Sequence, residues 1–154
     1  MDRQKSIFDK IGSIIPGYRG YAERDGRRNC DKLLRVGLAD KLSIVESVLY
    51  ERINQAVKIK DKQQMRSLED CRKQLNTFNS KVRYAPYGES SFFGDTQIKD
   101  EELLKIYLLD LELAEYINAL SLNALDIGIT ELISLTNRAK ESLQKRNNYI
   151  KEFK

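Results

Sequence analysis

The sequence predicts an all-α protein: an antiparallel bundle of four main helices plus a short N-terminal helix, in one domain spanning residues 1–154. Three observations predict it. Apolar residues recur every three or four positions over long stretches, the spacing of a helix face. Only two Pro and eight Gly punctuate 154 residues, too few for a loop-rich or collagenous chain. No segment of useful length alternates apolar and polar residues as a half-buried strand does. A chain of about 150 residues buries roughly 68–70% of its unfolded surface, so no disulfide or metal staple is required.

Each element follows in turn. Residues 2–15 carry Ile7, Phe8, Ile11, Ile14 and Ile15 at helical spacing, and Pro16-Gly17 stops the run. Gly17-Tyr18-Arg19-Gly20-Tyr21 is a tight connector. It lacks the G-x-x-x-x-G-K-[ST] pattern of a phosphate loop. A long helix is expected from about Ala22 to Lys58, with Leu34, Leu38, Leu42, Val45, Leu49, Ile53 and Ala56 on one face. Gly26 and Gly37 inside it, each costing roughly 1 kcal/mol against Ala, mark bends or close helix contacts. A polar turn leads to a helix from about Asp61 to Tyr84, with Leu68, Cys71, Leu75, Phe78 and Val82 as its seam. The short connection makes residues 22–84 an antiparallel, coiled-coil-like hairpin. Residues 84–95 form a loop holding Tyr84, Tyr87, Phe92 and Phe93. The next helix, about 98–122, starts with Asp95 or Thr96 as its cap and with Asp100, Glu101 and Glu102 in its first turn. It is apolar on most faces, as a central helix is. A break near Gly128 precedes the last helix, which carries Ile129, Leu132, Thr136, Ala139, Leu143 and Ile150, so residues 98–150 form a second helical pair.

Composition narrows the chemistry. The chain has no His, which removes His-dependent triads, His metal sites and His pH switches. Its two cysteines, Cys30 and Cys71, form no CxxC or cluster, so no Cys-based zinc site is expected. Neither a metal nor a cofactor is called for. Reduced cysteines and an N-terminus without a long apolar run point to a cytoplasmic protein. Residues 103–125 are apolar at 16 of 23 positions, but Lys105, Asp110, Glu112 and Glu115 argue against a membrane span.

The net charge of +4 is unevenly distributed. Residues 1–35 hold nine Lys/Arg against five Asp/Glu, 56–83 eight against three, and 132–154 six against two, whereas 95–131 hold two against nine. Two readings follow. The acidic block neutralises basic helices within the fold, or the basic segments face an external anion. The candidate face is Arg24, Arg28, Asp31 and Arg35, at i, i+4, i+7 and i+11, with Arg27 to the side and Tyr18 and Tyr21 just before it. Guanidiniums on one stripe need carboxylates or phosphate opposite. The internal answer is Asp110, which interrupts an apolar run and must have a donor if buried. The aromatic loop is either a docking anchor or a cover for the end of the bundle.

Two stretches carry a resemblance. Pro16-Gly17-Tyr18-Arg19-Gly20-Tyr21, continuing through Arg27-Arg28 and Asp31-Lys32-Leu33-Leu34-Arg35, resembles the opening of a family of small bacterial helical proteins without assigned function. Arg83-Tyr84-Ala85-Pro86-Tyr87-Gly88 and Phe92-Phe93-Gly94-Asp95 resemble its middle. The resemblance implies an all-helical domain and one assembled surface from residues 18–35 and 84–95; it supplies no reaction or ligand. The resulting expectation is a non-catalytic protein-interaction or scaffold module. It would dock an acidic or anionic partner on Tyr18, Tyr21, Arg24, Arg27, Arg28, Arg35, Tyr84, Tyr87, Phe92 and Phe93, with Asp31 and Asp110 as buried charge partners. The alternative is nucleic-acid binding through basic segments 19–35 and 58–83. The partner is another protein, a nucleic acid or a second copy of the chain.

Overall fold

The structure, a computed structural model, describes residues 2–154, apart from the side chain of Asp2. Met1, included in the expected domain, lies outside the described residues. In chain order the helices are α1 (Asp2–Ile14), α2 (Arg27–Lys58), α3 (Lys62–Arg83), α4 (Asp100–Asn123) and α5 (Ile129–Lys151). No strand occurs among the described residues. The all-α bundle of four main helices and a shorter first one is therefore what the chain forms. α2 and α3 make one antiparallel hairpin, α4 and α5 the other; α4 also packs on α1 and α2, and α3 on α5. The central position of α4 explains its apolar faces. Leu103, Ile106, Leu109, Leu113, Ile117 and Leu120 are all buried, on a helix that packs against α1, α2 and α5. Full burial of one such side chain contributes about 1.5–3 kcal/mol.

Two boundaries differ from expectation. α2 starts at Arg27, not near Ala22. Gly17 and Gly20 take φ of +91° and +81°, outside the helical region, and swing Tyr18 and Tyr21 into the core. A single 3₁₀ turn, Arg24–Gly26, then leads into α2. A Cβ at Gly20 would lie 2.5 Å from the Tyr107 hydroxyl and 2.8 Å from the Phe8 ring, so this glycine is required twice over. Gly37 does mark a close contact, since a Cβ there would meet Ile15 at 2.9 Å. The second difference is the cap of α4. Asp95 pairs with Arg24 at 2.6 Å and the Thr96 carbonyl accepts from Arg27, so neither caps the helix. Instead, the Glu102 carboxylate accepts from the Lys99 N–H at 2.9 Å.

The α2–α3 turn closes as a Schellman motif. The Asp61 N–H donates to the Ala56 carbonyl and the Lys60 N–H to that of Val57. Lys60 takes the left-handed position, φ 61°, that Gly usually fills. The Asp61 side chain then caps α3 at the Gln64 N–H, 3.1 Å. No described helix is long and apolar enough to cross a membrane.

Candidate functional site

Arg146 of α5 organises the centre of the molecule. Its side chain is completely buried, a position that demands full pairing. Nε donates to Asp110 Oδ1 of α4 at 2.5 Å, and one terminal nitrogen donates to Asp31 Oδ1 of α2 at 2.7 Å. The same nitrogen reaches the Tyr21 hydroxyl at 3.1 Å, and the other the Tyr87 hydroxyl at 3.0 Å. Both tyrosines pass the interaction on. Tyr21 donates to Asp110 Oδ2 at 2.5 Å and Tyr87 to Asp31 Oδ1 at 2.7 Å. Tyr18 donates to Asp110 Oδ2 at 2.7 Å, and Arg35 Nε to Asp31 Oδ2 at 2.9 Å. Two guanidiniums thus face two carboxylates and the charge closes to zero. Every carboxylate oxygen has a donor, the condition under which buried charge is tolerated.

The surroundings hold these groups in fixed protonation states. Burial pushes the Tyr18 and Tyr21 hydroxyls well above the ordinary range, with Asp110 adding to the shift. Burial likewise pushes Tyr87 up to about 12 and the Cys30 thiol up to about 11. Burial works against ionisation of Asp31, but Arg146 and Arg35 beside it outweigh burial and hold its carboxyl below the usual range. Above this layer, Arg27 ties down the aromatic loop without a carboxylate. It donates to the carbonyls of Tyr21 at 3.0 Å, Phe92 at 3.2 Å, Gly94 at 3.3 Å and Thr96 at 2.9 Å. Phe92 is sealed against Tyr21, ring centroids 5.1 Å apart.

This geometry corrects much of the expected docking face. Tyr18, Tyr21, Arg27 and Tyr87 are buried with their polar atoms consumed by the network or by loop carbonyls, and the Phe92 ring is buried as part of the apolar core. Arg35 is nearly buried against Asp31 and also donates to the Arg83 carbonyl. Phe93 is half-buried under Arg28, whose guanidinium lies 4.6 Å from the ring centre. Only Arg24, Arg28 and Tyr84 are exposed, and Arg24 is turned toward Asp95 and Asp25. The regular Arg24, Arg28, Asp31, Arg35 stripe does not form, because Arg24 precedes α2. Asp110 and Asp31 are buried with charge partners, but the partner of Asp110 is Arg146 and not the stripe.

Sequence reasoning missed Arg146, Tyr107 and Ser90. Arg146 had a readable signal. Leu132, Thr136, Ala139 and Leu143 step by three or four, and Arg146 then falls on the same stripe before Ile150. A charged residue on an apolar stripe belongs inside. Tyr107, on α4, accepts from the Tyr21 N–H at 3.1 Å. Ser90 donates to the Ile150 carbonyl and so pins the loop to α5. Neither contact has a local signature.

Asp110 is sealed from solvent with both oxygens engaged, so it offers no free acid or base to a substrate. Among the described residues, no group of three or more His, Cys, Asp or Glu is placed to hold a metal ion. The accessible concavities lie elsewhere. A shallow hollow of about 930 Å³ beside the connector includes Arg19 and Lys32, opposed by Glu23. A smaller groove of about 520 Å³ runs between α3 and α5. Lys73, Lys81 and Lys140 line it, with Phe78, Leu143 and the exposed ring of Tyr84, and no carboxylate belongs to its wall. Lys140 donates to Gln74 Oε1 at 3.0 Å, while neither Lys73 nor Lys81 has an ion-pair partner among the described residues. Comparison with protein-family models, with curated proteins and with solved structures finds no match to this chain.

Proposed function

We propose that the protein is a non-catalytic interaction module that docks an acidic or anionic partner in the α3–α5 groove. The observation that carries this reading is the charge of the groove wall: three lysines and no carboxylate. The groove lies where two basic segments, 56–83 and 132–154, come side by side. The Arg/Tyr network serves as the frame that holds α2, α4 and α5 in register. Each exposed ion pair contributes at most about 1 kcal/mol, so affinity requires the apolar floor of Phe78 and Leu143 beside the charges. The two buried, unpaired cysteines support a reducing, cytoplasmic setting.

The test is a pull-down from native extract with and without nuclease, comparing the natural protein with a Lys73→Glu/Lys81→Glu/Lys140→Glu variant. A protein retained by the natural chain, lost by the variant and insensitive to nuclease supports the reading. Retention by both chains contradicts it. A second reading, nucleic-acid binding, is favoured by the basic run of α3 itself. Capture abolished by nuclease, with affinity falling steeply in salt through counterion release, would favour it.

A further inference from the structure

The end of the bundle opposite the aromatic loop is left uncovered. Arg52 of α2 donates to the Ala124 carbonyl at 3.0 Å, just beyond the end of α4, so the α2–α3 and α4–α5 turns lie at the same end. α2 continues from Arg52 to Lys58, six residues further. Those further residues of α2 carry the α2–α3 tip past the α4–α5 turn. The end is therefore a step, with a tip and a shoulder.

Both levels are apolar. Leu122, Leu125 and Ile59 are 75%, 70% and 68% exposed, three of the four most exposed large apolar side chains described, and Val57 is exposed beside Ile59. Their charges are opposite. Residues 57–62 carry Lys58, Lys60 and Lys62 against Asp61, whereas residues 122–133 carry Asp126 and Glu131 and no Lys or Arg. All six of these side chains are exposed, and Asp61 is engaged as the α3 cap. With the half-buried Arg52 counted on the shoulder, the tip carries +2 (three Lys, one Asp) and the shoulder −1 (Asp126, Glu131 and Arg52), so the two remain opposite in charge and alike in apolar character, yet one chain cannot bring its own tip onto its own shoulder.

We propose that two copies of this chain associate end to end about a two-fold axis, each tip seated on the shoulder of the other. A two-fold arrangement makes the contact twice and closes the assembly at a dimer. An anionic membrane fits less well, because the shoulder would bring two carboxylates to the lipid surface. Exposed apolar residues gathered at one end, rather than scattered singly, are the usual mark of an interface. This dimer uses none of the α3–α5 groove and stands independently of the function proposed above.

Charge exchange tests it. Variant A carries Lys58→Glu and Lys62→Glu on the tip; variant B carries Asp126→Lys and Glu131→Lys on the shoulder. All four positions are exposed, and circular dichroism checks that both variants fold. Sedimentation velocity over a concentration series is the readout. The natural chain should approach twice the monomer mass, and A or B alone should associate at least tenfold more weakly. An equal mixture of A and B should recover the dimer, because each reversed tip then meets an oppositely charged shoulder. A natural chain that stays monomeric overturns the proposal. So does a dimer that A and B leave unchanged, or a mixture that does not re-associate. If a monomeric natural chain binds phosphatidylserine vesicles and A does not, the tip is a membrane contact instead.

Discussion

Replacing Arg146 by Met removes the hub of the internal network while keeping an unbranched side chain on α5. Four hydrogen bonds are lost, two of them to carboxylates. Asp31 keeps Arg35 and the Tyr87 hydroxyl, so its charge remains matched. Asp110 keeps only the hydroxyls of Tyr18 and Tyr21 and loses its cation in a fully buried site. Orphaning a buried charge costs about 3–5 kcal/mol. For a chain near 150 residues each kcal/mol lowers Tm by about 2–4 °C, so the drop is roughly 6–20 °C. Urea unfolding followed by circular dichroism measures it. Combining Arg146→Met with Asp110→Asn should recover part of the loss, because the second change removes the stranded charge. Arg146→Lys should fall between, since an ammonium cannot fork between two carboxylates as a guanidinium does. A loss below about 1 kcal/mol for Arg146→Met would refute the reasoning, because a charge so cheaply stranded is not sealed from water.

Three further outcomes follow from the same geometry. Asp31 is held below the usual carboxylate range by Arg146 and Arg35 against the effect of burial, so its contribution to stability is present above the unfolded carboxyl range, about 3.9, and is lost as pH falls below it; acid titration of Asp31→Asn should show a weaker loss in that window than the natural chain. Tyr87, pushed up to about 12, contributes stability that is complete below the unfolded value of about 10 and disappears as pH rises toward the folded one. Absorbance at the phenolate band should therefore show part of the tyrosine signal appearing only with alkaline unfolding, and early full ionisation would show that these rings are exposed. Gly20→Ala should destabilise by at least about 1–3 kcal/mol, since the new methyl meets Tyr107 and Phe8 at a positive φ; an unchanged melting curve would mean the connector is not held as described.

Much of the fold was legible because it is local. The three-and-four spacing of Leu34 to Ala56, of Leu68 to Val82 and of Leu132 to Leu143 marks helices by itself, and apolar residues on most faces of 103–120, broken by only a few charges, mark the central one. The start of α2 was not legible in the same way. Its apolar pattern begins only at Leu34, and whether residues 22–26 continue the helix depends on where Tyr18 and Tyr21 are drawn. The burial of Asp110 could be read from its apolar flanks, and Arg146 stands on the apolar stripe of α5, but nothing in the sequence pairs two residues 36 positions apart on different helices. The Arg/Tyr residues were found as a group and assigned to the wrong side of the surface. Residue type records that guanidinium, phenol and carboxylate belong together; it does not record whether the carboxylates come from a partner or from the same chain. The α3–α5 groove was illegible for the opposite reason: Lys73, Lys81 and Lys140 are unremarkable alone and matter only where two helices bring them together.

The most direct test of the division between an internal Arg/Tyr frame and an external lysine groove is an amide-resolved NMR titration of the natural chain with a short oligoglutamate. Salt-sensitive shifts are expected to centre on Lys73, Lys81, Tyr84, Lys140 and Asn147, with Tyr21, Asp31 and Arg146 unmoved. Shifts concentrated on residues 18–35 and 87–93, with α3 and α5 silent, would contradict it and return the docking surface to the arginine stripe.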